Sequence, residues 1–428
     1  MVQSLQKFKT LAEDPSLMDS FLYEAVFEEN PHVKQVKLKE LLDILQNLNY
    51  RGASIYPLYK RFSEKFPGFT VPAFNIRGMT YDVARRIFRV AKRLRVGTFI
   101  FEIAKSEIGY TKQRPLEYAV VILSAAFREG FDGPVFLQGD HFQLNRKSFY
   151  GDAQAEKEAL KKLILEALSA QFYNIDIDAS TLVNLEVSDL LEQQRPNFEV
   201  TAELAEFIRD QEPREITVNL GGEIGEIGGR NSTPEELRAF MKGFTESFRG
   251  EVGLSKISVQ TGTTHGGVVL PDGRVAEVAL DFETLKTLSR IAREEFGLAG
   301  AVQHGASTLP EEAFYKFPEE ECIEVHLATG FQNFLYDHPA LPMSFREKIY
   351  AYLKENFKSE WKEGLTEAQF LYKIRKKGFG AFKREWWDLP AEIKEHILGD
   401  MEGLFEKIFK ALNVINTEGV VREAFQVN

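Results

Sequence analysis

From Val71 to Leu327 the chain alternates short apolar runs with amphipathic stretches, and this alternation constrains the fold more than any other feature. The runs are VPAFN (71–75), GTFIFE (97–102), PVFLQG (134–139), YNIDID (173–178), EITVNL (215–220), KISVQT (256–261), AGAVQH (299–304) and ECIEVHL (321–327). Helical patterns such as 80–95 and 156–168 lie between them. Strands alternating with helices argue for parallel βαβ units. Eight such strands in roughly 250 residues is the count for a closed (β/α)8 TIM barrel. An open, doubly wound sheet is the alternative, but no Gly-rich dinucleotide fingerprint follows the first strand. An α/β barrel is therefore expected. Local signals agree: Ser232 and Thr233 precede Pro234, Glu235 and Glu236 as a helix start, and Asp281 opens a helix that Gly297 closes. The stretch 267–278 reads as a small hairpin turning at Pro271, Asp272 and Gly273.

Both flanks read as helical. In the stretch 36–48, Leu38, Leu41, Leu42, Leu45 and Leu48 share one helical face. The expected organisation is a helical N-terminal extension (1–70), a barrel (71–345) and a helical C-terminal extension (346–428). The last contains Trp361, Trp386 and Trp387, which at helical spacing read as packing, so no site residue is expected there. The net charge of −11 argues against a nucleic-acid or anionic-membrane surface role. The single cysteine, Cys322, rules out an intrachain disulfide and a thiolate metal cluster. The N-terminus lacks the apolar stretch of a signal peptide, and the longest apolar run, Tyr118 to Phe127, is too short to span a bilayer. A cytoplasmic protein with no membrane partner is expected.

Active sites of barrels lie at the C-terminal ends of the strands. Of the seven histidines, four (His141, His265, His304 and His326) fall there. A catalytic zinc site commonly takes three protein ligands and leaves one position open. The wide spacing of His141, His265 and His304 is what three different strands converging on one mouth would give. Asp140, beside His141, reads as a general acid/base or as a loop cap. Asp178 and Glu223 read as carboxylates behind the metal ligands, as a second cation site, or as satisfied polar groups of the rim. Glycine-rich turns after the histidines, with hydroxyls at Ser307 and Thr329, suit a phosphate, and barrels often bind one after strands seven and eight.

At these positions the sequence resembles the class II (metal-dependent) fructose-bisphosphate and tagatose-bisphosphate aldolases, from about Val71 to about Asn333. VPAFNI (71–76), GDH (139–141), IDIDAS (175–180), GEIGEIGG (222–229), GTTHGGV (262–268), QHGAS (303–307) and VHLATGF (325–331) carry the resemblance in order. It implies Zn²⁺ held by His141, His265 and His304, with Asp140 as proton donor to the aldehyde oxygen during bond formation. Glu223 and Asp178 match carboxylates able to engage a second divalent ion. Gly266, Ser307 and Thr329 would hold the donor phosphate, often with a monovalent cation nearby. Asn75 and His326 are the remaining substrate contacts expected. The implied reaction is reversible cleavage of a phosphorylated ketose to dihydroxyacetone phosphate and an aldehyde, in a homodimer or larger homo-oligomer. No lysine Schiff base is needed, because the metal supplies the Lewis acid.

Two departures accompany the resemblance. After Gly229 the family usually has acidic residues, one of them proposed to remove the donor proton; here stand Arg230, Asn231 and Ser232, with Glu226 as a substitute. His326 occupies the place of a family asparagine. The alternatives are a non-catalytic or auxiliary barrel subunit, which would not require all three ligand histidines, and a different metal-dependent C–C lyase. A barrel hydrolase is disfavoured because the first strand lacks His-x-His.

Overall fold

The computed structural model describes residues 2–224, 230–262, 270–271 and 280–425. Eight parallel strands form the barrel: β1 (Val71–Asn75), β2 (Ile100–Ala104), β3 (Val135–Gln143), β4 (Asn174–Asp178), β5 (Asn219–Glu223), β6 (Lys256–Val259), β7 (Ala301–Gln303) and β8 (Glu324–Leu327). Each pairs with its sequence neighbour, and β1 closes the ring on β8 with Val71 opposite Glu324 and Ala73 opposite His326. The (β/α)8 expectation holds.

The second and fifth strands lie further along the chain than their apolar runs suggest. The second run was expected at 97–102, yet Gly97 donates to Thr417 Oγ1 at 3.0 Å and Thr98 meets the same hydroxyl at 3.1 Å, so pairing starts at Ile100. The fifth was expected at 215–220, but the Thr217 carbonyl accepts from Ser54 Oγ and Val218 N–H donates to Glu212. Pairing therefore begins at Asn219, and Glu223 is the last residue of the strand itself. Helix boundaries follow their signals. Thr233 and Glu236 form a capping box before Pro234–Ser247, and Asp281 caps Phe282–Phe296, which Gly297 ends at φ 65°. The hairpin expected at 267–278 lies outside the described residues except for Leu270 and Pro271.

Both flanks pack on the barrel. Leu38, Leu41, Leu42 and Leu45 of helix Pro31–Asn47 are buried. The segment after it pairs Gly52–Ala53 with the start of β3 and seats helix Tyr56–Phe62 at the barrel's N-terminal end. At the other flank Phe405 and Phe409 of helix Ala391–Ala411 close edge-on against Phe74 of β1, at 5.7 and 5.6 Å. No described helix is long and apolar enough to cross a membrane.

Barrel interiors are usually filled by branched apolar side chains; part of this one is ionic. Lys256 of β6 is fully buried, and its ammonium reaches Glu324 of β8 at 2.5 Å, Gln138 of β3 at 2.8 Å and Asp176 of β4 at 2.9 Å. Tyr59, from the helix beneath, donates to the second oxygen of Glu324. Burial raises the Asp176 carboxyl, whereas Lys256 and His326 overcome the same burial at Glu324 and hold it well below its ordinary range. Removing one partner of such a knot leaves the others as uncompensated buried charges. Lys256→Met is expected to lower stability by roughly 3–5 kcal/mol in urea titrations; a midpoint equal to that of the parent would show that the knot is not structural.

Candidate metal centre and active site

Residues 140 and 141 are adjacent on one strand and would ordinarily point to opposite faces. The pairing of β3 with β4 slips between Gly139 and Phe142, and His141 sits at φ 41°. A bulge with a left-handed non-glycine residue is strained and recurs at functional sites. Here it brings both side chains to the barrel mouth. Gly139 is needed at this point, since a Cβ there would lie 2.5 Å from the Phe142 ring.

His304 follows β7 and stands beside His141, with ring centroids 4.2 Å apart. Asp140 Oδ1 lies 3.7 Å from His141 Nε2 and 3.9 Å from His304 Nδ1. These three side chains present ligand atoms within 4.8 Å of one another. The nitrogens turned away are held from behind. His141 Nδ1 lies 3.1 Å from Asp178 Oδ2 and 3.0 Å from Glu223 Oε2, and His304 Nε2 lies 3.0 Å from Ser258 Oγ. Fixing the outer nitrogen is how metal-binding imidazoles are oriented. Two imidazoles with pinned outer nitrogens, and a carboxylate beside them, fit a zinc-like divalent ion. His265 and Gly266, expected as the third imidazole and a phosphate contact, lie outside the described residues, as does Glu226.

The electrostatics are those of a buried acidic site. Burial depresses His141, but Asp140, Glu223 and Asp178 outweigh it and hold the imidazole well above its ordinary value. Burial and the charge of Asp178 push Glu223 up to about 7. Asp178 falls below its usual range despite burial, because it accepts from His141, Ser180 and Gln143.

These groups open into a cavity of about 770 Å³ that also includes Asn75, Ser307, His326 and Thr329. Asn75 donates to Glu107 at 2.6 Å, and Glu107 also takes Arg77 at 2.8 Å. Ser307 Oγ accepts from the Gly330 N–H at 2.9 Å, at the start of helix Thr329–Asp337. His326 Nε2 is 2.6 Å from Glu324, while Nδ1 faces Glu102 at 3.1 Å and Asp140 at 3.3 Å. Asp178 and Glu223 do not line the cavity but stand behind His141. Arg230, Asn231 and Ser232 do not line it either: Arg230 pairs with Glu236, Asn231 with Asp281, and Ser232 Oγ accepts from Gln260 N–H.

Sequence reasoning missed several cavity residues. Glu102 ends an apolar run and is fully buried beside Asp140, with burial and that neighbour raising its carboxyl well above the usual range. A glutamate closing an apolar strand was the available signal. Arg77 and Glu107 carried none, and neither did Ser258, which stands behind His304 outside the cavity. Contrary to the expectation of packing alone, the C-terminal extension also reaches the cavity, through Tyr372, Lys373 and Lys376.

Known proteins share this fold. The fructuronate-tagaturonate epimerase UxaE of Cohnella laeviribosi is 11% identical with a TM-score of 0.59, over 83% of this chain and 85% of its own. A protein of Sinorhizobium meliloti named as a probable tagatose 6 phosphate kinase is 15% identical with a TM-score of 0.55, over 83% of this chain and 99% of its own. The fructose-bisphosphate aldolase of Campylobacter jejuni is 18% identical with a TM-score of 0.49, over 86% and 97%. At such identities the first two establish a shared fold only, and no curated protein matches the sequence significantly. The family model for fructose-bisphosphate aldolase class-II matches residues 64–375. This chain belongs to the class II fructose-bisphosphate aldolase family.

Proposed function

We propose that the chain is a zinc-dependent aldolase that reversibly cleaves a phosphorylated ketose to dihydroxyacetone phosphate and an aldehyde. The observation that carries this reading is the convergence of Asp140, His141 and His304 at the cavity, with both imidazoles pinned from behind. His141, His304 and His265 would hold the ion, and Asp178 and Glu223 would serve it by orienting His141. When bound, a divalent ion supplies Lewis-acid stabilisation of the negative charge that develops as the C–C bond breaks.

In this reading Asp140 takes the hydroxyl proton during cleavage and returns it to the aldehyde oxygen during condensation. Its Oδ1 lies 3.7 and 3.9 Å from the two imidazoles, within reach of a substrate oxygen held between them. Ser307 and Thr329, with Gly266, hold the donor phosphate. Asn75 and His326 line the donor's side, His326 fixed in orientation by Glu324. A cytoplasmic homodimer or larger homo-oligomer, with no nucleic-acid or membrane partner, is part of the proposal.

Three outcomes test it. Single alanine variants at His141, His265 and His304 are expected to lose bound zinc by elemental analysis; stoichiometric zinc in all three would remove the ligand assignment. Metal-loaded Asp140→Asn is expected to keep its zinc while turnover drops about 10²–10⁴-fold. Turnover at the parental rate would make Asp140 structural. The substrate range is expected to differ from that of an ordinary fructose-bisphosphate aldolase, because Arg230, Asn231 and Ser232 offer no acid to the cavity and His326 replaces a neutral amide. The readout is kcat/KM on fructose 1,6-bisphosphate, tagatose 1,6-bisphosphate and other phosphorylated ketoses. A value at or above about 10⁴ M⁻¹s⁻¹ on fructose 1,6-bisphosphate, ahead of every other sugar, would show both departures to be neutral.

A further inference from the structure

Part of the cavity wall comes from outside the barrel: helix Glu367–Ile374 and the turn Arg375–Lys377 bring Tyr372, Lys373 and Lys376 to it. Among the described residues, four lysine and arginine side chains line the cavity, and two of them are in ion pairs. Arg77 is engaged with Glu107 at 2.8 Å and Gln332 at 2.9 Å. Lys105 is engaged with Glu156 at 3.1 Å and the Gln143 carbonyl at 2.8 Å. Among the described residues, neither Lys373 nor Lys376 has a carboxylate within ion-pair distance.

Lys376 is the telling member. Its ammonium is partly buried over the Tyr110 ring, 5.4 Å from the centroid. Burial and the neighbouring Arg77 charge hold it below the ordinary lysine range. Glu107 and Glu360 offset this only in part, and the Glu107 oxygens already accept from Asn75, Arg77 and the Ala104 N–H. A half-buried cation beside another cation, with the nearby counter-charge shared out, destabilises the empty protein. Such an arrangement is expected where a ligand brings the missing negative charge, at the recurrent cost of stability at functional sites.

We propose that Lys373 and Lys376, backed by Arg77, form an oxyanion subsite through which the C-terminal segment recognises a charged end of the substrate. The subsite is distinct in composition from Ser307 and Thr329, which offer hydroxyls from the barrel loops. Flexible ammonium groups act as point charges and accept either a phosphate or a carboxylate, whereas a planar pair of guanidinium groups would favour bidentate geometry. The inference rests on the cavity being the substrate site, but its readout does not require turnover.

The test uses the full metal-loaded chain at fixed ionic strength, titrated calorimetrically with inorganic phosphate and, separately, with acetate. The parent is expected to bind at least one anion. Lys376→Met and Lys373→Gln are each expected to weaken that binding roughly tenfold, as for loss of one charge-assisted contact. Lys376→Met should also melt no lower than the parent without ligand, since it removes a half-buried cation that is only partly compensated; a merely structural lysine would give the reverse. The anion whose affinity the lysine variants lose assigns the subsite: phosphate to a phosphorylated end, acetate to a carboxylate end. Absence of binding by the parent, or parental affinity in both variants, overturns the proposal. Zinc content measured in the same samples separates failure of this subsite from failure of the metal assignment.

Discussion

The ammonium of Lys256 sits where barrels usually place a branched alkyl chain, and it draws together side chains from β3, β4 and β8. An isolated ion at zero exposure would be costly, so its partners must be fixed in place. That requirement propagates upward. Glu324, held by Lys256 and Tyr59, leaves its oxygen 2.6 Å from His326 Nε2, and the opposite nitrogen of the ring is thereby turned toward Glu102 and Asp140. The polar interior and the candidate metal centre form one continuous column of buried polar and charged groups, with the N-terminal extension touching its base.

A second constraint acts at the top of the column. The bulge in β3 spends backbone strain at His141 to aim two consecutive side chains at the mouth, and Asp178, Glu223 and Ser258 then fix the imidazoles. The geometry is pre-organised: the groups that would meet a divalent ion are oriented by neighbours that line no part of the cavity. An acidic centre beside a cationic wall at Lys373 and Lys376 also gives the cavity two electrically different ends, which suits a substrate with a reacting polyol and a charged terminus.

The barrel was legible because its strands are buried on both faces and appear as continuous apolar runs separated by amphipathic helices. Register was less legible. Nothing in the runs at 97–102 and 215–220 marks where pairing begins, because Thr417 and Ser54, both distant in sequence, and Glu212, six residues before Val218, take the backbone groups that would have begun each strand. Among site residues, Asp140, His141 and His304 stood out as polar groups at strand ends, whereas Glu102 was masked by the apolar residues before it. Lys373 and Lys376 were invisible for a different reason: on a helical flank a lysine reads as solvated surface, and only the folding of that flank over the barrel mouth makes it a cavity wall.

The central claim is that one divalent ion binds between His141 and His304 beside Asp140. Anomalous diffraction at the zinc edge, from crystals of the zinc-loaded chain, tests it most directly. The expected result is a single strong peak within coordination distance of His141 Nε2 and His304 Nδ1, about 2.0–2.1 Å from each. A peak held only by surface residues, or none at the barrel mouth at full zinc loading, would contradict it.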